Sequence, residues 1–126
     1  MTDYTYNKAF MKNLLFVLFV FISAKSFAQD TIAAAQVKDY IGKEVWVKGT
    51  IASLKLASDE NTLNYVNVDK AFPQNIFTVV IADKCLQRLK IDLSKSKGKK
   101  ILVKGKVEGN GKDTPQILNP SKIVIK

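Results

Sequence analysis

A ten-residue pattern occurs twice in this chain. The first copy is Gly42-Lys43-Glu44-Val45-Trp46-Val47-Lys48-Gly49-Thr50-Ile51. Fifty-six residues later comes Gly98-Lys99-Lys100-Ile101-Leu102-Val103-Lys104-Gly105-Lys106-Val107. Apolar and polar residues alternate in both, which is the period of a half-buried strand. Each copy opens with a Gly-Lys turn. Each also carries a glycine inside the strand, at Gly49 and Gly105, where a bulge or a sharp bend is expected. Two such coiling strands, on either side of a helix-like segment, predict a small closed barrel.

The rest of the chain divides in the same spirit. Thr31 to Tyr40 is alanine-rich and predicts a short N-terminal helix, capped by Asp30 or Thr31 and ended by Gly42. The first strand runs from Glu44 to Leu56, with Val45, Val47 and Ile51 inward and Trp46, Lys48 and Thr50 outward. After the polar turn Ala57 to Asn61, the second strand is Thr62 to Asp69, with Val66 and Val68 inward and Tyr65 and Asn67 outward. A loop containing Pro73 leads to the third strand, Ile76 to Ala82. There Phe77, Val79 and Ile81 point in, while Ile76, Thr78 and Val80 point out. Asp83 is placed to cap a helix through Lys90 that seats Leu86 and Leu89, and Asp92 to Lys100 reads as a flexible basic connection. The fourth strand is Ile101 to Val107. A Gly/Asn-rich hairpin, Glu108 to Asp113, leads to a fifth strand, Gln116 to Ile125, interrupted near Pro120.

Strand, strand, strand, helix, strand, strand is the order of the five-stranded Greek-key OB barrel. Particular residues carry a resemblance to it. Val45-Trp46-Val47-Lys48-Gly49-Thr50-Ile51 looks like the first strand of OB domains that bind tRNA anticodons. Tyr65-Val66-Asn67-Val68-Asp69 resembles their second strand, and Ile101 to Val107 their fourth. Asn64 to Ile81 is similar to uncharacterised exported OB-fold proteins of bacteria. The resemblance spans residues 32 to 125 and implies a mostly β domain that binds a ligand on its outer face. One departure is clear: anticodon-binding members commonly carry an arginine between strands 1 and 2. This chain has Ser53, Lys55 and Ser58 there, and its single arginine is Arg88, in the helix.

The N-terminus predicts export. Lys12 precedes an unbroken apolar run from Leu14 to Ile22, followed by small residues and Ser26-Phe27-Ala28. That is the layout of a secretory leader cut after Ala28, with Met11 as the expected start. The run is well short of the roughly 20 apolar residues a spanning helix needs, so no membrane span is expected in residues 29–126. Residue 29 is Gln, so the site lacks the cysteine of a lipoprotein. The expected product is one domain of residues 29–126, periplasmic or secreted.

Charge and chemistry narrow the function. The chain holds 20 basic and 11 acidic residues. The first 28 contain Lys8, Lys12, Lys25 and Asp3, so their removal leaves 17 basic and 10 acidic residues, a net of +7. Lys84 to Lys112 contains ten basic residues against Asp92 and Glu108, which points to an anionic partner or to plain solubility. There is no histidine and one cysteine, Cys85, expected as a small buried apolar residue. No His base, Cys/His pair, metal centre or cofactor is therefore expected, nor any catalytic residue. Asp59 and Glu60 share a turn with Asn61 and read as a solvated tip.

Two classes of function remain. The first is sequence-indifferent binding of single-stranded nucleic acid or another polyanion on the outer face of strands 2 and 3. Tyr65, Asn67 and Thr78 would form its centre, with Trp46, Lys48, Lys104 and Lys106 beside it. The second is an envelope module for a small ligand, a glycan or a protein, in which the lysines serve solubility. Where the positive charge sits decides between them: a lysine stripe continuous with Tyr65 favours nucleic acid.

Overall fold

The computed structural model describes residues 31–109 and 111–126. The expected leader, its cut after Ala28 and the start at Met11 lie outside the described residues, as does Asn110. In chain order the elements are β1 (Thr31–Ala33), a 3-10 helix (Ala34–Asp39), β2 (Glu44–Lys55), β3 (Leu63–Val68), β4 (Phe77–Ala82), helix α1 (Asp83–Leu89), β5 (Lys100–Glu108), β6 (Gln116–Leu118) and β7 (Lys122–Ile125).

The two copies of the repeat pair with each other. β2 and β5 run antiparallel from Glu44 opposite Lys106 to Thr50 opposite Lys100. At the centre Val47 faces Val103, the same position of the two copies. The turns obey the same symmetry. The Gly42 N–H donates to the Val107 carbonyl and the Gly98 N–H to the Ile51 carbonyl, each at 2.8 Å. Val107 in turn donates to Lys43, and Ile51 to Lys99, each at 2.9 Å. Gly42 and Gly98 both sit at φ +86°, a left-handed turn conformation that suits glycine. An antiparallel pair has a local twofold between its strands, so one sequence written into both meets equivalent surroundings on each side. That is the physical sense of the repeat.

The glycines inside the strands mark where each strand changes partner. On its other edge β2 carries β1, in parallel register at Trp46 to Lys48, and then β3 from Ile51 onward. β5 likewise carries β7 up to Lys104 and β6 from Val107. Gly49 and Gly105 stand at these switches, and neither leaves room for a side chain. A Cβ on Gly49 would lie 2.3 Å from Val68 Cγ1, and one on Gly105 2.5 Å from Ile117 Cγ2. β3 pairs with β4, β4 runs parallel to β6 over three positions, and β6 meets β5 over two. The pairings thus run in a ring from β2 through β3, β4, β6 and β5 back to β2, with β1 and β7 added at its margins. The interior holds Val37, Val47, Ile51, Val66, Val68, Phe77, Val79, Ile81, Val103, Val107 and Ile117, all fully buried.

Several expectations require correction. The five expected strands become seven among the described residues, because β1 is new and Pro120 splits the last strand into β6 and β7. The segment Thr31 to Tyr40 does not begin as a helix. Its first three residues are a strand, since Ile32 lies opposite Val47 and buries itself on the edge of β2 that β3 leaves bare. The alanines that follow form only a 3-10 turn, with Gln36 Oε1 accepting the Ala33 N–H at 3.0 Å. Asp83 is the first residue of α1, not its cap; the cap position is Ala82, and the Asp83 carboxylate accepts instead from Asn64 Nδ2 at 2.8 Å. Cys85 is buried in α1, as expected. The basic connection Asp92 to Lys100 is pinned by buried Leu93 and Ser96 and by the two backbone bonds to Ile51. Within it, the Ser94 N–H and hydroxyl hold the Asp92 carboxyl below its ordinary value, helped by Lys95 and Lys99.

Candidate nucleic-acid interface

β3 and β4 place Tyr65, Asn67 and Thr78 side by side on their outer face, with Asn67 opposite Thr78. Three connections rise around them: the end of β2 (Ser53 to Lys55), the β3–β4 loop (Phe72 to Asn75) and the β5–β6 loop (Asp113 to Gln116). Together they enclose a cleft of about 590 Å³ lined by Ser53, Lys55, Tyr65, Asn67, Phe72, Asn75, Thr78 and Gln116, among others. The face is therefore concave. Asn67 and Thr78 were expected as open outward residues. They are instead its floor, 5 % and 7 % exposed, because the loops close over them. Val80, also expected to point out, is buried where β6 runs alongside β4.

The floor is one hydrogen-bonded chain. Asn75 Nδ2 donates to Thr78 Oγ1 at 2.6 Å, Thr78 Oγ1 donates to Asn67 Oδ1 at 2.9 Å, and Asn67 Nδ2 donates to Ser53 Oγ at 2.9 Å. Ser53 Oγ also accepts the Phe72 N–H at 3.2 Å. This last bond ties the β3–β4 loop to β2 while the Phe72 ring stays 74 % exposed. Ser53 Oγ thus accepts twice, from β3 and from the β3–β4 loop. Buried amides in a satisfied network are held rigid. An exposed phenylalanine beside a half-buried tyrosine offers two aromatic faces at the rim. Sequence reasoning missed Ser53, Phe72, Asn75 and Gln116. A Phe-Pro in a polar loop was the one available signal; the rest come together only through the strand register.

The expected site divides in two. Trp46, Lys48, Lys104 and Lys106 do not border this cleft. They lie on the outer face of β2 and β5, where Trp46 stands opposite Lys104. The ammonium groups of Lys104 and Lys122 stand 5.8 and 6.0 Å from the centre of the Trp46 ring. Trp46 is half-buried, flanked by these lysines. Among the described residues Lys55 is the one lysine that lines the cleft, together with Asp113. The stripe of positive charge is not continuous with Tyr65. Among the described residues no group of His, Cys, Asp or Glu could hold a metal ion, and no helix is long and apolar enough to cross a membrane.

No family model and no curated protein matches the chain. Solved structures do. An OBody, AM1L10, bound to hen egg-white lysozyme, superposes at a TM-score of 0.57 with 27 % identity, covering 77 % of this chain and 91 % of that one. Asparaginyl-tRNA synthetase from Pyrococcus horikoshii gives a TM-score of 0.55 with 12 % identity over 75 % of this chain. This chain has an OB-fold. The asparaginyl-tRNA synthetase of Entamoeba histolytica is similar at a TM-score of 0.51 and 17 % identity. The OB-fold chain covers 22 % of the Pyrococcus enzyme and 23 % of the Entamoeba one, so the likeness is to part of each.

Proposed function

We propose that this OB-fold domain is a non-catalytic binding module that holds a short stretch of single-stranded nucleic acid in the β3–β4 cleft. The observation that carries the reading is the cleft itself. It lies on the face that OB domains use for oligonucleotides, with Tyr65 and Phe72 as stacking surfaces and the Ser53–Asn67–Thr78–Asn75 chain beneath them. The likeness to two asparaginyl-tRNA synthetases supports it. Stacking is worth ~1–3 kcal/mol per base and tolerates any base. Among the described residues only Lys55 lines the cleft to meet a phosphate, so binding there depends weakly on salt, with a slope of about 0.7 per phosphate neutralised. A leader in residues 1–28, expected from the sequence pattern alone, would place the domain in a periplasmic or secreted setting outside translation.

The separation of the lysine stripe from Tyr65 counts against nucleic acid by the criterion of charge placement, and with the sparse charge of the cleft it favours one second reading. A polar, uncharged ligand such as a short glycan would also meet aromatic faces and fixed amides there, and OB clefts take oligosaccharides as well. Fluorescence anisotropy with single-stranded RNA and DNA separates the two, run across a salt series and with neutral oligosaccharides as competitors. Tyr65→Ala and Phe72→Ala are each expected to weaken nucleic-acid binding by tenfold or more. If neither substitution changes it, the cleft is not the nucleic-acid site. Displacement by an oligosaccharide would move the assignment to glycans.

A further inference from the structure

The outer face of β1, β2, β5 and β7 carries most of the net charge of the domain, and the cleft makes no use of it. Cross-strand register arranges this face in rows. Thr31, Trp46, Lys104 and Lys122 form one row, and Ala33, Lys48, Leu102 and Val124 the next. A third row holds Thr50 and Lys100, with Lys126 bonded through its backbone to Lys100. Lys106 and Glu44 stand at the far end. The outward positions of these strands thus carry six lysines against Glu44 and, at the end of β5 where it meets β6, Glu108.

The placement of these lysines is costly to the fold. Lys104 faces Lys122 and Lys100 faces Lys126, and like charges directly opposite in a sheet repel. One weak contact offsets this, Lys104 Nζ to Glu44 Oε1 at 3.9 Å; the other five lysines have no carboxylate partner among the described residues. The repeat explains Lys48 and Lys104 by symmetry, but not Lys100, Lys122 or Lys126. Two further features define the partner. The charge spreads over three adjacent strands, about 10 Å across and about 20 Å along at ordinary sheet spacings. It therefore matches an anionic surface better than a single linear strand. Between the two lysine rows, Leu102 adjoins 40 %-exposed Val124, with Lys48 between Leu102 and Ala33 and with Trp46 at the border. Lysine heads, aliphatic stems and a tryptophan side by side are the composition that seats a protein at a lipid headgroup layer.

We propose that this face docks the domain on an anionic bilayer surface, its lysines meeting lipid phosphates and Val124, Leu102 and Trp46 settling against the headgroup boundary. The inference is independent of the cleft reading and leaves the cleft open to solvent.

The test is co-sedimentation of the full chain, as purified from an exporting host, with vesicles. Vesicles of phosphatidylcholine alone are compared with vesicles of equal parts phosphatidylcholine and phosphatidylglycerol. The readout is the difference between the two, because an uncleaved apolar leader would partition into both. Selective, salt-sensitive binding to the anionic vesicles is expected, with a blue shift of the single tryptophan. Four substitutions together, Lys100→Gln, Lys104→Gln, Lys122→Gln and Lys126→Gln, should weaken it by about 100-fold or more, since each lysine near an anionic surface contributes severalfold. The same variant should melt no lower than the parent, because two like-charge pairs are gone. If it fails to fold, Lys100→Glu with Lys104→Glu replaces it, setting a carboxylate opposite Lys126 and opposite Lys122. Tyr65→Ala should leave vesicle binding unchanged while weakening nucleic-acid binding. Equal binding to both vesicle types would overturn the proposal. So would lysine variants that lose nucleic-acid binding while vesicle binding is absent or unaltered, which would assign the face to nucleic acid.

Discussion

Gly105→Ala tests the account of the strand switches most directly. The backbone at Gly105 is not in the left-handed region, so conformation alone does not demand glycine. The demand is steric: a Cβ would lie 2.5 Å from Ile117 Cγ2 and 3.5 Å from Pro120 Cα, where β5 passes from β7 to β6. Overpacking of this kind costs ~1–3 kcal/mol. Losing glycine's freedom in the unfolded chain returns ~0.4–1 kcal/mol. The net expectation is a loss of about 1–2 kcal/mol, or roughly 4–16 °C in Tm for a domain of this size. Urea unfolding followed by the fluorescence of Trp46, the single tryptophan, measures it. The decisive arm is the Ile117→Ala background. That change removes the clashing methyl, costs ~2–5 kcal/mol by itself, and should make Gly105→Ala neutral or stabilising. The two substitutions must therefore couple by about 1 kcal/mol or more. A Gly105→Ala effect of the same size in both backgrounds would refute the steric argument and point to a backbone cause.

Three further outcomes are expected. Val47→Asp and Val103→Asp should each prevent folding, and to a similar extent, because the two residues face each other across the twofold and a buried unpaired carboxylate costs several kcal/mol; a cooperative melt near the parent temperature for either would show the strand pairing to be wrong. Thr78→Val keeps the shape of the side chain but breaks the floor of the cleft at both ends, leaving Asn67 Oδ1 and Asn75 Nδ2 without their partner. A loss of ~1–3 kcal/mol in chemical unfolding is expected, and an unchanged midpoint would mean that the network contributes nothing to stability. Asp92 has a depressed folded-state pKa, so its contribution is present above the ordinary aspartate value and is lost as pH falls through the lower folded-state value. Asp92→Asn should therefore be less stable than the parent at neutral pH, with the gap closing in acid; a gap that is the same at both ends would exclude the carboxylate as its source.

The strand order was legible in the sequence because alternation of apolar and polar residues is a local signal. Val45, Val47, Ile51, Val66, Val68, Phe77, Val79 and Ile81 were all read as inward and are all buried. Pro120 ended a strand because proline cannot donate to a ladder. The failures are equally specific. Ile32 belongs to a strand because β2 has a bare edge there, and no property of an alanine-rich segment announces that. Asn67 and Thr78 alternate outward, but burial depends on which loops fold over them.

The sequence by itself determined the repeat, the inward residues of its first three expected strands and the lack of any histidine for catalysis, since each of these is written in residue types and short-range spacing. Only the tertiary structure decided that the two repeats pair with each other about Val47 and Val103. It also separated Tyr65 from the lysines that the sequence had set beside it. β2 turns at Gly49 from one set of partners to another, so side chains that alternate along one strand end on two different surfaces of the OB-fold. Strand curvature is a property of packed neighbours, here Val68 and Ile117 against two glycines, and it is settled only when the ring of strands forms.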